Sequence, residues 1–150
     1  MAKILRIALL LIFIGLVVYG IIRISVSSKP PLPTITVGDM KITTAQGTYC
    51  WEGFLNSICV DMISPPGIVA HHDLKAVVVS PEANLKIDFK NKPKNSTLGA
   101  NIWINDNKAD NVNLRGNILT VPNKKGVYVY DVHARWEEGD SSYVFIIEVQ

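Results

Sequence analysis

The sequence predicts an all-β body, an antiparallel β-sandwich, carried behind one N-terminal transmembrane helix. Three observations carry this. From Ile4 to Ile24 the chain reads ILRIALLLIFIGLVVYGIIRI, with no acid and only two bases. After Thr34, short segments of alternating apolar and polar residues follow one another, separated by Gly, Pro, Asn and Asp. The only two cysteines, Cys50 and Cys59, both lie beyond the apolar run.

The uncharged stretch Ile7 to Ile22 covers about 24 Å of a hydrocarbon layer about 30 Å thick. If Arg6 and Arg23 carry their guanidinium groups out to the two interfaces, Ile4, Leu5 and Ile24 join the span and it suffices. The competing reading is a cleaved secretory signal, for which Ser25-Val26-Ser27 offers a small-x-small exit. Arg23, lying between the apolar run and that exit, favours an uncleaved signal anchor over residues 1–24. Charge bias leaves orientation tied, with Lys3 and Arg6 on one side and Arg23 and Lys29 on the other. The cysteines break the tie. Either reading exports the same body to an extracytoplasmic, oxidising space, as a single-pass membrane protein or as a secreted one.

Residues 1–29 hold four bases and no acid, so the remainder has 11 bases against 13 acids, a net of −2 with His neutral. The mildly acidic body excludes an electrostatic reading as a nucleic-acid binder. About 120 residues support one core and not two. Ser25 to Pro33, SVSSKPPLP, is a proline-rich linker of extended character, leaving residues 34–150 as the sandwich.

In order, the expected strands are Thr34 to Val37, Met40 to Thr44, Gly47 to Trp51, Ile58 to Ile63, Lys75 to Val79, Leu85 to Lys90, Leu98 to Asn105, Asn117 to Val121, Val127 to Trp136 and Tyr143 to Val149. Pro65-Pro66-Gly67 ends the fourth, and no useful helix is expected beyond the anchor. The strongest is Val127 to Trp136: Tyr128, Tyr130, Val132, Ala134 and Trp136 share one face, Asp131, His133 and Arg135 the other. Tyr143, Phe145, Ile147 and Val149 repeat the pattern after Glu137-Glu138-Gly139-Asp140, which makes a terminal hairpin. Short strands following one another at roughly ten-residue spacing are the profile of a sandwich.

Lys125-Gly126-Val127-Tyr128-Val129-Tyr130 resembles the G-x-Y-x-C segment of immunoglobulin-like folds. The resemblance implies an immunoglobulin-like sandwich with Tyr128 at the tyrosine corner and Tyr130 where an inter-sheet cysteine would stand. Thr48-Tyr49-Cys50-Trp51, Cys59-Val60-Asp61 and Pro65-Pro66 are similar to a T-Y-C-W…C-x-D…P-P pattern of small exported or membrane-anchored proteins of Gram-positive bacteria. That likeness runs on through Gly139 to Val149. It implies compartment and fold, and no activity.

Cys50 and Cys59 read as one structural disulfide; a metal pair or redox dithiol lacks both C-x-x-C spacing and a second pair. If they oppose each other in a hairpin, Trp51 faces Ile58 and Tyr49 faces Val60, and those four form a core-facing set. The stapled loop between them carries Phe54 and Leu55, either a contact element for an envelope protein partner or for lipid headgroups, or residues folded back onto the body, with Trp51 beside them. His71-His72-Asp73 is the only dense group of metal-ligand types, and it needs a distant third ligand such as His133 or Asp61. Lys86, Lys90, Lys92 and Lys94 form either a solvated fringe or a patch for anionic wall polymers or headgroups. No nucleophile elbow or close carboxylate pair appears. The expectation is therefore a non-catalytic, membrane-anchored binding or accessory module with no cofactor and an undefined small-molecule ligand. An envelope metal-handling or redox protein using His71 and His72 is the alternative.

Overall fold

A computed structural model describes residues 2–26, 29–53 and 56–150. The N-terminal helix α1 (Ala2–Val26) is 25 residues, about 37 Å at 1.5 Å per residue, and its side chains from Lys3 to Tyr19 are exposed. The stretch Lys3–Gly20 is apolar and long enough to cross a membrane, a property it shares with a signal sequence.

The described residues of the body form a β-sandwich of eleven strands: β1 (Pro33–Val37), β2 (Met40–Ile42), β3 (Ala45–Glu52), β4 (Ser57–Val60), β5 (Val77–Val79), β6 (Asn84–Phe89), β7 (Gly99–Asn105), β8 (Lys108–Val112), β9 (Ile118–Thr120), β10 (Gly126–Arg135) and β11 (Gly139–Val149). A helix, α2 (Pro65–His71), lies between β4 and β5. The smaller sheet runs β2-β1-β6-β9, the larger β4-β3-β11-β10-β7-β8. One flank of β11 pairs with β10 along its length. The other is shared: β3 lies antiparallel to residues 139–144, and β5 runs parallel to Ile147, Glu148 and Val149.

The alternating pattern decides which face is buried. Tyr130, Val132, Phe145 and Ile147 meet Ile35, Leu85, Ile87 and Leu119 of the smaller sheet, all at 0 or 1% exposure. Tyr130 stacks flat on Phe145, the residue opposite it in the β10–β11 ladder, with centroids 5.1 Å apart. The Tyr128 hydroxyl donates to the Lys124 carbonyl at 2.7 Å. At one end of the sandwich Trp51, Phe89, Trp136 and Tyr143 form an edge-on aromatic cluster. The Tyr143 hydroxyl there donates to the Pro31 carbonyl at 2.7 Å, and Pro30 and Pro33 are buried. The body thus begins inside the proline-rich linker, with β1 starting at Pro33.

Three departures from the sequence reading share one cause, the larger sheet. Pro65-Pro66-Gly67 does not end the order: Ser64 caps α2, its side-chain oxygen accepting the Gly67 N–H, and Pro65 occupies the first turn, where its missing N–H costs nothing. Ile68 of this helix packs on Ala45 and Val144, so the outer face of the larger sheet is partly covered rather than solvated. Lys108–Val112 is a strand without an apolar alternation, because an edge strand with exposed side chains needs only its ladder to β7. Finally, Asp140 belongs to β11 instead of a turn. Gly139 takes φ 152° and approaches the Cys50 carbonyl so closely that a β-carbon has no room.

Candidate functional site

The disulfide hairpin forms as its spacing predicts. Cys50 and Cys59 are bonded and directly opposed, with Trp51 against Ile58 and Tyr49 against Val60. The expected core-facing set divides, however. Trp51 is 4% exposed and packs edge-on against Trp136 at 5.7 Å, whereas Ile58 is 44% exposed, because β4 is the sheet's edge among the described residues. Trp51 is thus a core residue that seats the hairpin. Phe54 and Leu55 lie outside the described residues; the loop is closed beside them by the Gly53 N–H donating to the Asn56 carbonyl at 2.7 Å.

His71 ends α2 and His72 caps it, their rings edge-on at 5.1 Å. They stand on a helix terminus, not in a loop that gathers ligands. Among the described residues no three His, Cys, Asp or Glu side chains come together to hold a metal. His133 lies on the outer face of β10, with Nδ1 3.9 Å from Asp131 Oδ2 and its Nε2 edge against Gly99, where only a glycine leaves room for the ring. Ser142 sits opposite His133 in the ladder, but its hydroxyl donates to the Thr48 carbonyl at 3.3 Å. That geometry does not present a nucleophile to a base.

The lysine-rich segment has a structural partner that the sequence does not reveal. Between the end of β6, the chain from Lys92 to Leu98 and the segment from Asn111 to Asn117 opens a cleft of about 880 Å³. Phe89, Leu98, Val112 and Leu114 are among its apolar lining; Lys92, Asn95 and Asn113 line it together with the polar side chains of Asp88, Lys94, Ser96, Asn111 and Asn117. Its rim is fixed: Lys94 N–H donates to the Arg135 carbonyl at 2.7 Å, and Thr97 Oγ1 accepts the Arg135 N–H at 3.2 Å. Lys94 pairs with Glu137 at 3.0 Å, and Lys86 pairs with Asp88 at 2.7 Å. The other oxygen of Asp88 accepts from the Asn117 amide at 2.9 Å. Among the described residues, Lys92 has no acidic partner, and the Asn95 and Asn113 amides have no hydrogen-bond partner.

An ammonium and two unengaged amides above an apolar floor suit a ligand rich in hydroxyls and bearing negative charge. Amides donate and accept, matching a hydroxyl in either role, and the ammonium takes an anion. Compared with protein-family models, curated proteins and solved structures, the chain matches none.

Proposed function

We propose that this chain is a membrane-anchored binding module whose body, on the extracytoplasmic side, holds a hydroxyl-rich anionic polymer of the cell envelope in the cleft between Lys92 and Asn113. The cleft carries the reading: it is the place where uncommitted polar groups of both kinds meet a pinned rim and an apolar floor. The helix from Ala2 to Val26 supports anchoring by its length and apolarity. The Cys50–Cys59 bond supports an oxidising compartment. The mild acidity of the body agrees with a local basic element serving one cleft rather than a polyanion-binding surface spread over the molecule.

The test is titration of the full chain in detergent micelles with three polymers. Polygalacturonate has hydroxyls and charge, dextran has hydroxyls alone, and polyphosphate has charge alone. Polygalacturonate is expected to bind most tightly and to weaken with added salt. Lys92→Glu combined with Asn113→Ala is expected to lower its affinity at least about tenfold. Equal binding of all three polymers, or an unchanged double variant, would retire the cleft as the site.

A further inference from the structure

A separate cavity of about 410 Å³ lies on the outer face of the larger sheet, under α2 and away from the polymer cleft. Its polar lining is Thr48, Ser64, Trp103, Asp106, Asp131 and Ser142. The ladders explain how Trp103 and Asp131 meet: Trp103 opposes Val129 and Asn101 opposes Asp131, so the indole and the carboxylate are diagonal neighbours on one face.

Most of this lining is committed. The Ser64 hydroxyl donates to Asp106 Oδ1 at 2.7 Å, Thr48 Oγ1 accepts the Met62 N–H at 3.1 Å, and the Ser142 hydroxyl donates to the Thr48 carbonyl at 3.3 Å. Two atoms are left over. Trp103 Nε1 and Asp131 Oδ1 are both buried, and neither has a hydrogen-bond partner. Asn101 and Ser142 stand beside the Asp131 carboxylate without bonding Oδ1, and its side chain is 14% exposed. Burial pushes the Asp131 carboxyl above its ordinary range, while His133, Asn101 and Ser142 pull it back. Folded proteins rarely leave such groups orphaned. Here two residues that each carry an orphan atom, just beneath the cavity wall, line one cavity large enough for a small molecule.

The pair restricts what fits. The acceptor is a carboxylate, a second carboxylate (Asp106) lines the same cavity, and among the described residues no Lys or Arg does, so the ligand carries positive charge. A bare metal ion would leave the indole N–H without an acceptor. An amino acid would offer a carboxylate to that N–H and set it beside two aspartates. The acceptor for Trp103 is therefore a neutral hydroxyl on the same molecule as the cation.

We propose that this cavity binds a small hydroxylated primary ammonium, an amino alcohol or amino sugar, with the ammonium on Asp131 and a hydroxyl oxygen accepting from Trp103. Isothermal titration of the full chain in micelles with ethanolamine and glucosamine tests it, against glucose and N-acetylglucosamine, which lack the ammonium. Saturable one-to-one binding is expected for both amines, with the two neutral sugars at least about tenfold weaker. Asp131→Asn, which preserves shape, is expected to lose at least about tenfold in amine affinity. Trp103→Phe is expected to lose affinity for both amines while retaining the cooperative unfolding of the parent. Failure of either amine to saturate the site, equal affinity for glucosamine and N-acetylglucosamine, or full retention by Asp131→Asn would overturn it, leaving ordered water as the occupant of the two orphan atoms.

Discussion

Two hairpins meet at β11 and are held together by different means. In the β10–β11 hairpin ten residue pairs face each other, and the inward members Tyr130, Val132, Tyr143, Phe145 and Ile147 are all at 0% exposure. In the β3–β4 hairpin only four pairs form, and of the β4 residues three are exposed and one half-buried. Burial suffices for the first. Among the residues of those four pairs only Trp51 is buried in the core, and a sulfur bridge supplies what β4 does not gain from packing. An edge strand without a covering layer can hold its register covalently where a central strand holds it by what it buries.

The comparison can be broken at three places. Phe145→Ala should cost about 3 to 5 kcal/mol, since it removes a fully buried ring and the stacking partner of Tyr130. Chemical denaturation reads this directly, and a loss below about 1 kcal/mol would mean that burial is not what holds the terminal hairpin. Replacing both Cys50 and Cys59 by Ser should cost about 2 to 3 kcal/mol, the chain-entropy value for a loop of about ten residues. Reductant should then shift the unfolding midpoint of the parent and leave that of the double variant unmoved. Alkylation of the native protein without reductant, if it modified either cysteine, would remove the covalent half of the comparison.

The smallest effect sharpens the other half. The Tyr130 hydroxyl is buried without a hydrogen-bond partner, and burial pushes its ionisation upward. Tyr130→Phe removes an unsatisfied group and keeps the stack, so it should leave stability unchanged or raise it by up to about 1 kcal/mol. A loss of more than that, measured at the same pH by thermal unfolding, would show that the hydroxyl serves a partner.

The terminal hairpin was legible because alternation along Val127 to Trp136 and Tyr143 to Val149 names the buried face without reference to any other strand. The hairpin register was legible from two residues, since opposing Cys50 to Cys59 leaves one pairing for Trp51. The exposure of Ile58 was not, because whether a face is covered depends on the strand's place in the sheet. Nor was β8: Lys108, Ala109, Asp110 and Asn111 carry no apolar period, and their strand exists because β7 offers a free edge. The lysine segment could be named in advance, but not Asn113, which reaches the same cleft from the loop after β8.

By itself the sequence determined the apolar leading helix, the strand-rich body, the inward faces of its last two strands and the cysteine pairing. Each of these is written in local composition or in a period of two. Tertiary structure alone decided that α2 covers the outer face of the larger sheet, that Ile58 is exposed, and that Trp103 and Asp131 line one cavity with Nε1 and Oδ1 unsatisfied. The reason is physical: a period states which side of a strand is apolar, while burial and hydrogen-bond satisfaction are set by what other segments bring to that side.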